Sequence, residues 1–177
     1  MKEYVTEAVV LAVRPRGEAD RVADMLTKDF GRIEARVVGG RKILSKFSPH
    51  LNPGMRVVVR LVKKNVFTLT DVVSRPFLGS RSPRANKDVL PALFLVRSLI
   101  PAANPDPKLW YALAVFFEGE EKSISALLAV IGYNARHAKC EACGDVSVRY
   151  FYIPDQVFVC VACSVKFPED ALLYITP

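Results

Sequence analysis

The chain has 177 residues, 51% of them hydrophobic, enough for one large domain or two to three small ones with a proper core. Its apolar runs, such as residues 93–96 and 110–117, are far too short to cross a bilayer, and Glu3 and Glu7 precede the first apolar stretch where an export signal would carry basic residues. The net charge of +7 is segregated: residues 1–87 hold 18 Lys and Arg against 8 Asp and Glu, a net of +10, whereas residues 88–177 hold 7 against 10, a net of −3.

The basic half reads as β structure. Residues 4–13 alternate, with Val5, Val9, Leu11 and Val13 expected on the buried face, and Arg14-Pro15-Arg16-Gly17 ends the run. Residues 21–28 form a second extended segment whose apolar face Asp24 interrupts. After the Phe30-Gly31 turn, residues 32–38 alternate cleanly, with Ile33, Ala35 and Val37 inward and Arg32, Glu34 and Arg36 outward. Gly39-Gly40 stops this strand, and a basic, irregular stretch runs on to Pro53-Gly54. Residues 55–62 and 66–73 pattern as a hairpin around Lys63-Lys64-Asn65. Five strands with a long excursion after the third fit a small Greek-key barrel of the OB type over residues 1–75.

A Pro- and Ser-containing basic linker follows over 76–87. Residues 88–137 then read as a helical section. Leu93, Val96, Leu99 and Ile100 fall at helical spacing over 88–103. Asp106 before Pro107 reads as an N-cap and first-turn proline for a helix over 108–117. Residues 123–131 form a third helix, with Gly132 as its C-terminal cap.

The last module, residues 138–177, carries all four cysteines of the chain. They fall as Cys140-Glu-Ala-Cys143 and Cys160-Val-Ala-Cys163, with sixteen residues between the pairs. A Cys-x2-Cys pair turns both sulfurs toward one point, and two pairs complete the four-thiolate shell that one structural Zn²⁺ ion prefers. Such a closed shell leaves no position for substrate. Two disulfides, or a Cys-x-x-Cys redox pair, are the alternatives, and disulfides require an oxidising compartment. Residues 146–153 and 156–159 can form two short strands around Pro154-Asp155, as in a zinc ribbon.

Charge segregation of this kind is what a polyanion-binding module beside a module with another role produces. An OB barrel presents its ligand across strands 2 and 3, between the loops joining strands 1–2 and 4–5. Arg14, Arg16 and Arg21 map to the first loop, Lys63 and Lys64 to the last, Arg32 and Arg36 to strand 3, and Arg41, Lys42 and Lys46 to the excursion. Tyr4, Phe30, Phe47 and Phe67 are candidates for base stacking, with core placement as the other reading of each. His50 and His137 stand in different modules with no nucleophile motif near them, and neither a phosphate-cradling loop nor a carboxylate metal cluster is present. The sequence therefore reads as a non-enzyme, cytoplasmic, with no membrane and no small-molecule substrate as partner. An RNA-binding barrel-plus-ribbon protein and a pure scaffold are the alternatives.

The stretches Arg14-Pro15-Arg16-Gly17-Glu18-Ala19-Asp20, Leu26-Thr27-Lys28-Asp29-Phe30-Gly31-Arg32-Ile33 and Gly39-Gly40-Arg41-Lys42, with Phe47 and Leu51-Asn52-Pro53 beyond, resemble the RecO family of bacterial recombination mediators. The order of parts resembles it too: barrel, helices, Gly132-Tyr133, then paired cysteines. The resemblance implies a non-enzymatic repair protein that binds single- and double-stranded DNA and anneals complementary strands. It also implies work with RecR to load RecA onto strands coated by single-strand-binding protein. It carries the basic positions over to Arg14, Arg16, Arg32, Arg41, Lys42 and Lys46. It further implies helical structure after the cysteine module, whereas fourteen residues follow Cys163 here.

Overall fold

The computed structural model describes residues 2–75, 89–118 and 123–175, so the linker expected over 76–87 lies outside the described residues. The chain divides into two units, Met1–Trp110 and Tyr111–Pro177. In the first, β1 (Lys2–Arg16), β2 (Asp20–Thr27), β3 (Gly31–Val37), β4 (Arg56–Lys63) and β5 (Phe67–Ser74) close a barrel in the order β1-β2-β3-β5-β4. β1 is long enough to pair with β2 through its second half and with β4 through its first, and this double pairing closes the sheet. Only β3 and β5 run parallel, because the excursion after β3 carries the chain across the barrel before β4 begins.

Side chains of period two fill the interior: Ala8 and Val10 from β1, Ala23 and Met25 from β2, Ile33, Ala35 and Val37 from β3, Val57, Val59 and Leu61 from β4. Phe47 and Leu51 of the excursion drop into the same core. The β3 alternation matches its sequence pattern, but β1 does not. Val5 is 61% exposed, and Val9 and Leu11 are buried outside the barrel core. A bulge between Val10 and Ala12 shifts the phase, so Ala8 and Val10 face inward before it and Val13 after it. Residues 8–13 are apolar on both sides, and such a run carries no phase of its own.

Helix α1 (Val89–Leu99) packs on β1 and buries Val89, Ala92, Leu93, Leu95 and Val96. It stops four residues short of the expected end, before Pro101. Ala102 then bridges to Arg32, and the Ala103 amide donates to the Arg32 carbonyl at 2.8 Å. This brings the Asn104 backbone against Gly31, where an added Cβ would stand 2.3 Å from the Asn104 carbonyl oxygen. With φ of +66° as well, position 31 admits only glycine.

Asp24, the residue that interrupts the apolar pattern of β2, is 2% exposed. Its carboxylate accepts from Arg32 Nε at 3.0 Å and Nη2 at 2.9 Å, and from Arg97 Nε at 3.2 Å. Arg32 Nη1 donates in turn to the carbonyls of Arg97 and Ile100 at the end of α1, at 2.5 and 3.1 Å. One buried carboxylate thus fastens the last turn of the helix to the barrel wall, and the cation satisfies carbonyls that the helix leaves open.

In the second unit α2 (Pro107–Glu118), which begins just before the division, buries Leu109, Leu113, Phe116 and Phe117. Asp106 Oδ1 accepts from the Lys108 and Leu109 amides at 2.8 and 3.2 Å, the N-cap its position suggests. α3 (Ile124–Val130) ends at Gly132, φ +104°, with the Tyr133 amide donating back to the Leu128 carbonyl. β6 (Val148–Tyr152), β7 (Val157–Cys160) and β8 (Leu172–Tyr174) form a sheet of order β7-β6-β8, and the one-turn α4 (Val161–Ser164) follows β7. The third strand was not expected, since three residues with no alternation leave no strand signature. Among the described residues, no helix is long and apolar enough to cross a membrane.

Asp24→Ala leaves two guanidinium groups facing one another without their carboxylate, and should destabilise the first unit by about 3 kcal/mol. Glu34→Ala, at an exposed pair, should cost less than about 1 kcal/mol. Urea unfolding midpoints of the two variants check the contrast.

Acid should also weaken this unit. The Gly39 amide first, then the Arg36 side chain, hold the Asp20 carboxyl below its ordinary 3.8, and the Arg56 hydrogen bond holds Glu7 below 4.5. A carboxylate lowered in this way stabilises the fold above its unfolded-state value, and that stabilisation disappears as pH falls through the folded value. The urea midpoint should therefore drop as pH falls below about 4, and Asp20→Asn should show a shallower drop than the parent protein.

Candidate nucleic-acid interface and metal centre

The outer face of β1, β2 and β3 is a ladder of arginines and carboxylates. Arg14 Nη2 reaches both carboxylate oxygens of Glu34 at 2.7 Å. Arg36 pairs with Asp20 at 2.6 Å, and Arg32 with Asp24 at 2.9 Å. Arg14 and Arg36 remain about half exposed, so each can exchange its carboxylate for another anion. Arg32 is committed to Asp24, which raises its pKa further, and to the end of α1. The structure therefore gives Arg32 a role in the fold, despite its outward position on β3.

Arg14 and Arg16 lie on the last residues of β1 rather than in a loop, because strand pairing continues to Arg16–Asp20. Arg21 stands beside Val37 in the register, with its Cβ close to Gly40 at the barrel mouth. The excursion is tied to this hairpin by three contacts. The Gly39 amide donates to Asp20 Oδ1 at 2.9 Å, the Arg41 amide to the Ala19 carbonyl at 2.9 Å, and Arg41 Nη1 to the Gly17 carbonyl at 2.7 Å. They bring Arg41 and Lys42 to the hairpin tip that carries Arg16. Arg41 meets only a neutral carbonyl, and Lys42 has no carboxylate partner among the described residues. Lys46 is 3.5 Å from Asp71 and lies over the Phe47 ring, with both charged groups well exposed. Among the described residues, Arg41 and Lys42 thus stand without a carboxylate partner at one end of the barrel, beside the hairpin tip that carries Arg16, Glu18 and Asp20.

The aromatic candidates belong to the core. Phe47 and Phe67 are buried, and Tyr4 and Phe30 pack against that core, with Tyr4–Phe30 and Phe30–Phe67 ring centroids 4.9 and 5.6 Å apart. His50 Nδ1 lies 2.7 Å from Ser74 Oγ. Sequence reasoning missed Asp20, Asp24 and Arg97 as organisers of this surface. A single carboxylate inside an apolar strand, eight residues before an arginine on the next strand, was the available signal for Asp24.

In the second unit Cys140, Cys143, Cys160 and Cys163 come together, their sulfurs all within 4.8 Å of one another. Strand β7 delivers Cys160 and the turn of α4 delivers Cys163. The first pair sits on a tight turn, in which the Gly144 amide donates to the Cys140 carbonyl at 2.8 Å. All four are free thiols, and Cys143 and Cys160 sulfurs are 3.7 Å apart, far beyond a disulfide. Burial would push the Cys140 thiol up, but the amides of Cys160, Ala142 and Cys143 bring it down to about 6. Cys163, facing the thiols of Cys143 and Cys160, is pushed up to about 12. Four sulfurs this close cannot all ionise unless a cation sits among them, and four converging thiolates are a metal-ion shell.

Residues 1–76 match the family model described as Recombination protein O N terminal. Over a longer stretch, the chain is 28% identical to a DNA repair protein RecO of Myxococcus xanthus, over 81% of this chain and 65% of that protein. It is 26% identical to the RecO of Thermodesulfovibrio yellowstonii, over 93% of this chain and 71% of that protein. For the RecO of Rhodospirillum centenum the identity is 27%, over 99% and 76%. The chain therefore spans about two thirds to three quarters of the length of these relatives. Its first 76 residues are thus similar to the RecO N-terminal domain, and its likeness to RecO proteins extends across most of the remainder.

Proposed function

We propose that this chain is a non-enzymatic recombination mediator of DNA repair. In this reading its OB-type barrel binds single- and double-stranded DNA and anneals complementary strands at the nucleoid. RecR and single-strand-binding protein are its partners in loading the recombinase RecA. The names of the relatives support the process, and the strand order with a parallel β3–β5 closure supports the OB type. The observation that carries the binding surface is the tether between the excursion and the β1–β2 hairpin, which gathers Arg16, Arg41 and Lys42 with, among the described residues, no neutralising carboxylate on Arg41 or Lys42. Lys46 extends that surface, Arg21 lines the barrel mouth beside it, and Arg14 and Arg36 join by exchanging carboxylate for phosphate. Annealing needs no reacting group. It needs phosphates neutralised on two strands while their base edges stay free to pair.

The metal is one structural Zn²⁺ held by Cys140, Cys143, Cys160 and Cys163. A tetrahedral shell with Zn–S of ~2.3 Å sets sulfurs ~3.8 Å apart, close to the 3.7 Å between Cys143 and Cys160. The ion supplies folding energy to the second unit, on the order of 10 kcal/mol by comparison with small zinc modules.

Binding should be mostly electrostatic. Each phosphate contact on a single strand contributes about −0.7 to the slope of log affinity against log salt, so Arg41→Ala with Lys42→Ala should flatten that slope by about 1.4. Lys108→Ala, on α2, should leave it unchanged. Fluorescence anisotropy of a labelled oligonucleotide at several salt concentrations reads both; equal loss for the two proteins would refute the barrel surface.

Purified protein should also carry one zinc per chain. Cys160→Ser should lose the zinc and the folding of the second unit while the barrel's β circular dichroism persists. Metal analysis that finds no zinc in folded protein with four alkylatable thiols would remove the metal assignment.

A further inference from the structure

Ile43 and Leu44 are 100% and 95% exposed, the most open large aliphatic side chains of the described residues. They stand at the apex of the excursion, and the loop below them is braced. The Ser48 hydroxyl donates to the Gly40 carbonyl at 3.2 Å and closes the base of the loop. Successive turns link Gly39 to Lys42 and Lys42 to Ser45, at 3.1 and 3.0 Å. Phe47 and Leu51 anchor the far side in the barrel core, and the Arg41 amide holds the near side to Ala19. A built, braced loop thus presents two neighbouring aliphatic side chains to water, bracketed by Arg41, Lys42 and Lys46.

We propose that Ile43 and Leu44 form an apolar wedge that packs against the bases of a nucleic acid whose phosphates are held by Arg41, Lys42 and Lys46. The inference rests on the DNA-binding reading above and adds a contact to bases that reading lacks. The charge around the tip selects the occupant. Three cations within six residues favour a polyanion over an apolar pocket on a protein, and aliphatic side chains between base steps gain burial by partly unstacking them. The candidate aromatics of this barrel are engaged elsewhere, Phe47 and Phe67 in its core and the half-buried Tyr4 and Phe30 packed against that core. An unstacked strand with neutralised phosphates is also the form in which bases are ready to meet a complement.

The test compares the full chain with Ile43→Ser/Leu44→Ser and with Arg41→Ala/Lys42→Ala, on a single-stranded oligonucleotide containing 2-aminopurine and on an abasic strand of equal phosphate number. The parent protein should bind the base-bearing strand more tightly than the abasic one and raise 2-aminopurine emission. The serine variant should lose affinity for the base-bearing strand by about tenfold and lose the emission rise, with its salt slope and abasic affinity unchanged. The alanine variant should weaken on both strands and flatten the slope. Circular dichroism checks that both are folded, as full exposure of the tip predicts. Leu44→Trp gives a second readout. Its indole should be quenched by the base-bearing strand and not by the abasic one, against the single background residue Trp110. If the serine variant binds and unstacks like the parent while the alanine variant weakens, the wedge is overturned and the electrostatic surface stands. A tip that serves a protein partner gives the same result and overturns the wedge equally. If neither variant changes binding, the barrel surface itself is wrong.

Discussion

A carboxylate with almost no access to water must be matched by cations, and in this protein that demand falls on Asp24. Two arginines meet it, Arg32 from the neighbouring strand and Arg97 from helix α1. Because Arg32 also donates to the last carbonyls of α1, the helix end, β2 and β3 share one network. The segment after the helix then lies along β3 and closes over Gly31. Desolvating either charge alone would be costly, so the parts hold together or not at all. The helix is in this way a component of the barrel's wall.

The same logic of compensation sorts the basic residues. Arg14, Arg32 and Arg36 lie on strands, where the register sets a carboxylate within reach of each. Arg41 and Lys42 lie on a loop pinned by backbone contacts, where the described strands provide no carboxylate partner. A net charge of +10 over residues 1–87 therefore overstates the cation available on the ladder and understates its concentration at the loop.

Much of this was legible in the sequence where the physics is local. The cysteine spacing, the Asp106 cap, the Gly132 terminus and the alternation of β3 each depend on a few neighbouring residues, and the structure places each as read. The inward face of β1 was not legible, because both faces of its centre are apolar and a bulge after Val10 resets the phase. Nor was the fate of Arg32, which depends on Asp24 across the strand and on a helix end 65 residues later in the chain. Strand β8 escaped because three residues without alternation look like any apolar run. Long-range partners decide these cases, and pattern alone does not encode them.

The exposed tip follows from the same division between strands and loop. The arginines on the barrel strands β1 and β3 already face carboxylates across the outer surface. New contacts to a large ligand are cheapest where the fold has left groups without partners, and the excursion is such a place for both charge and apolar surface. Bracing from Ser48, Phe47 and Ala19 means that little further ordering is required when a ligand arrives. Cations alone would hold phosphates of any strand without touching a base, and two like strands would then be neutralised but still stacked. An aliphatic pair beside those cations separates the two tasks. Charge draws the backbone in, and the wedge acts on the bases. The proximity of the two on one short loop is what makes their joint action on a single strand geometrically available.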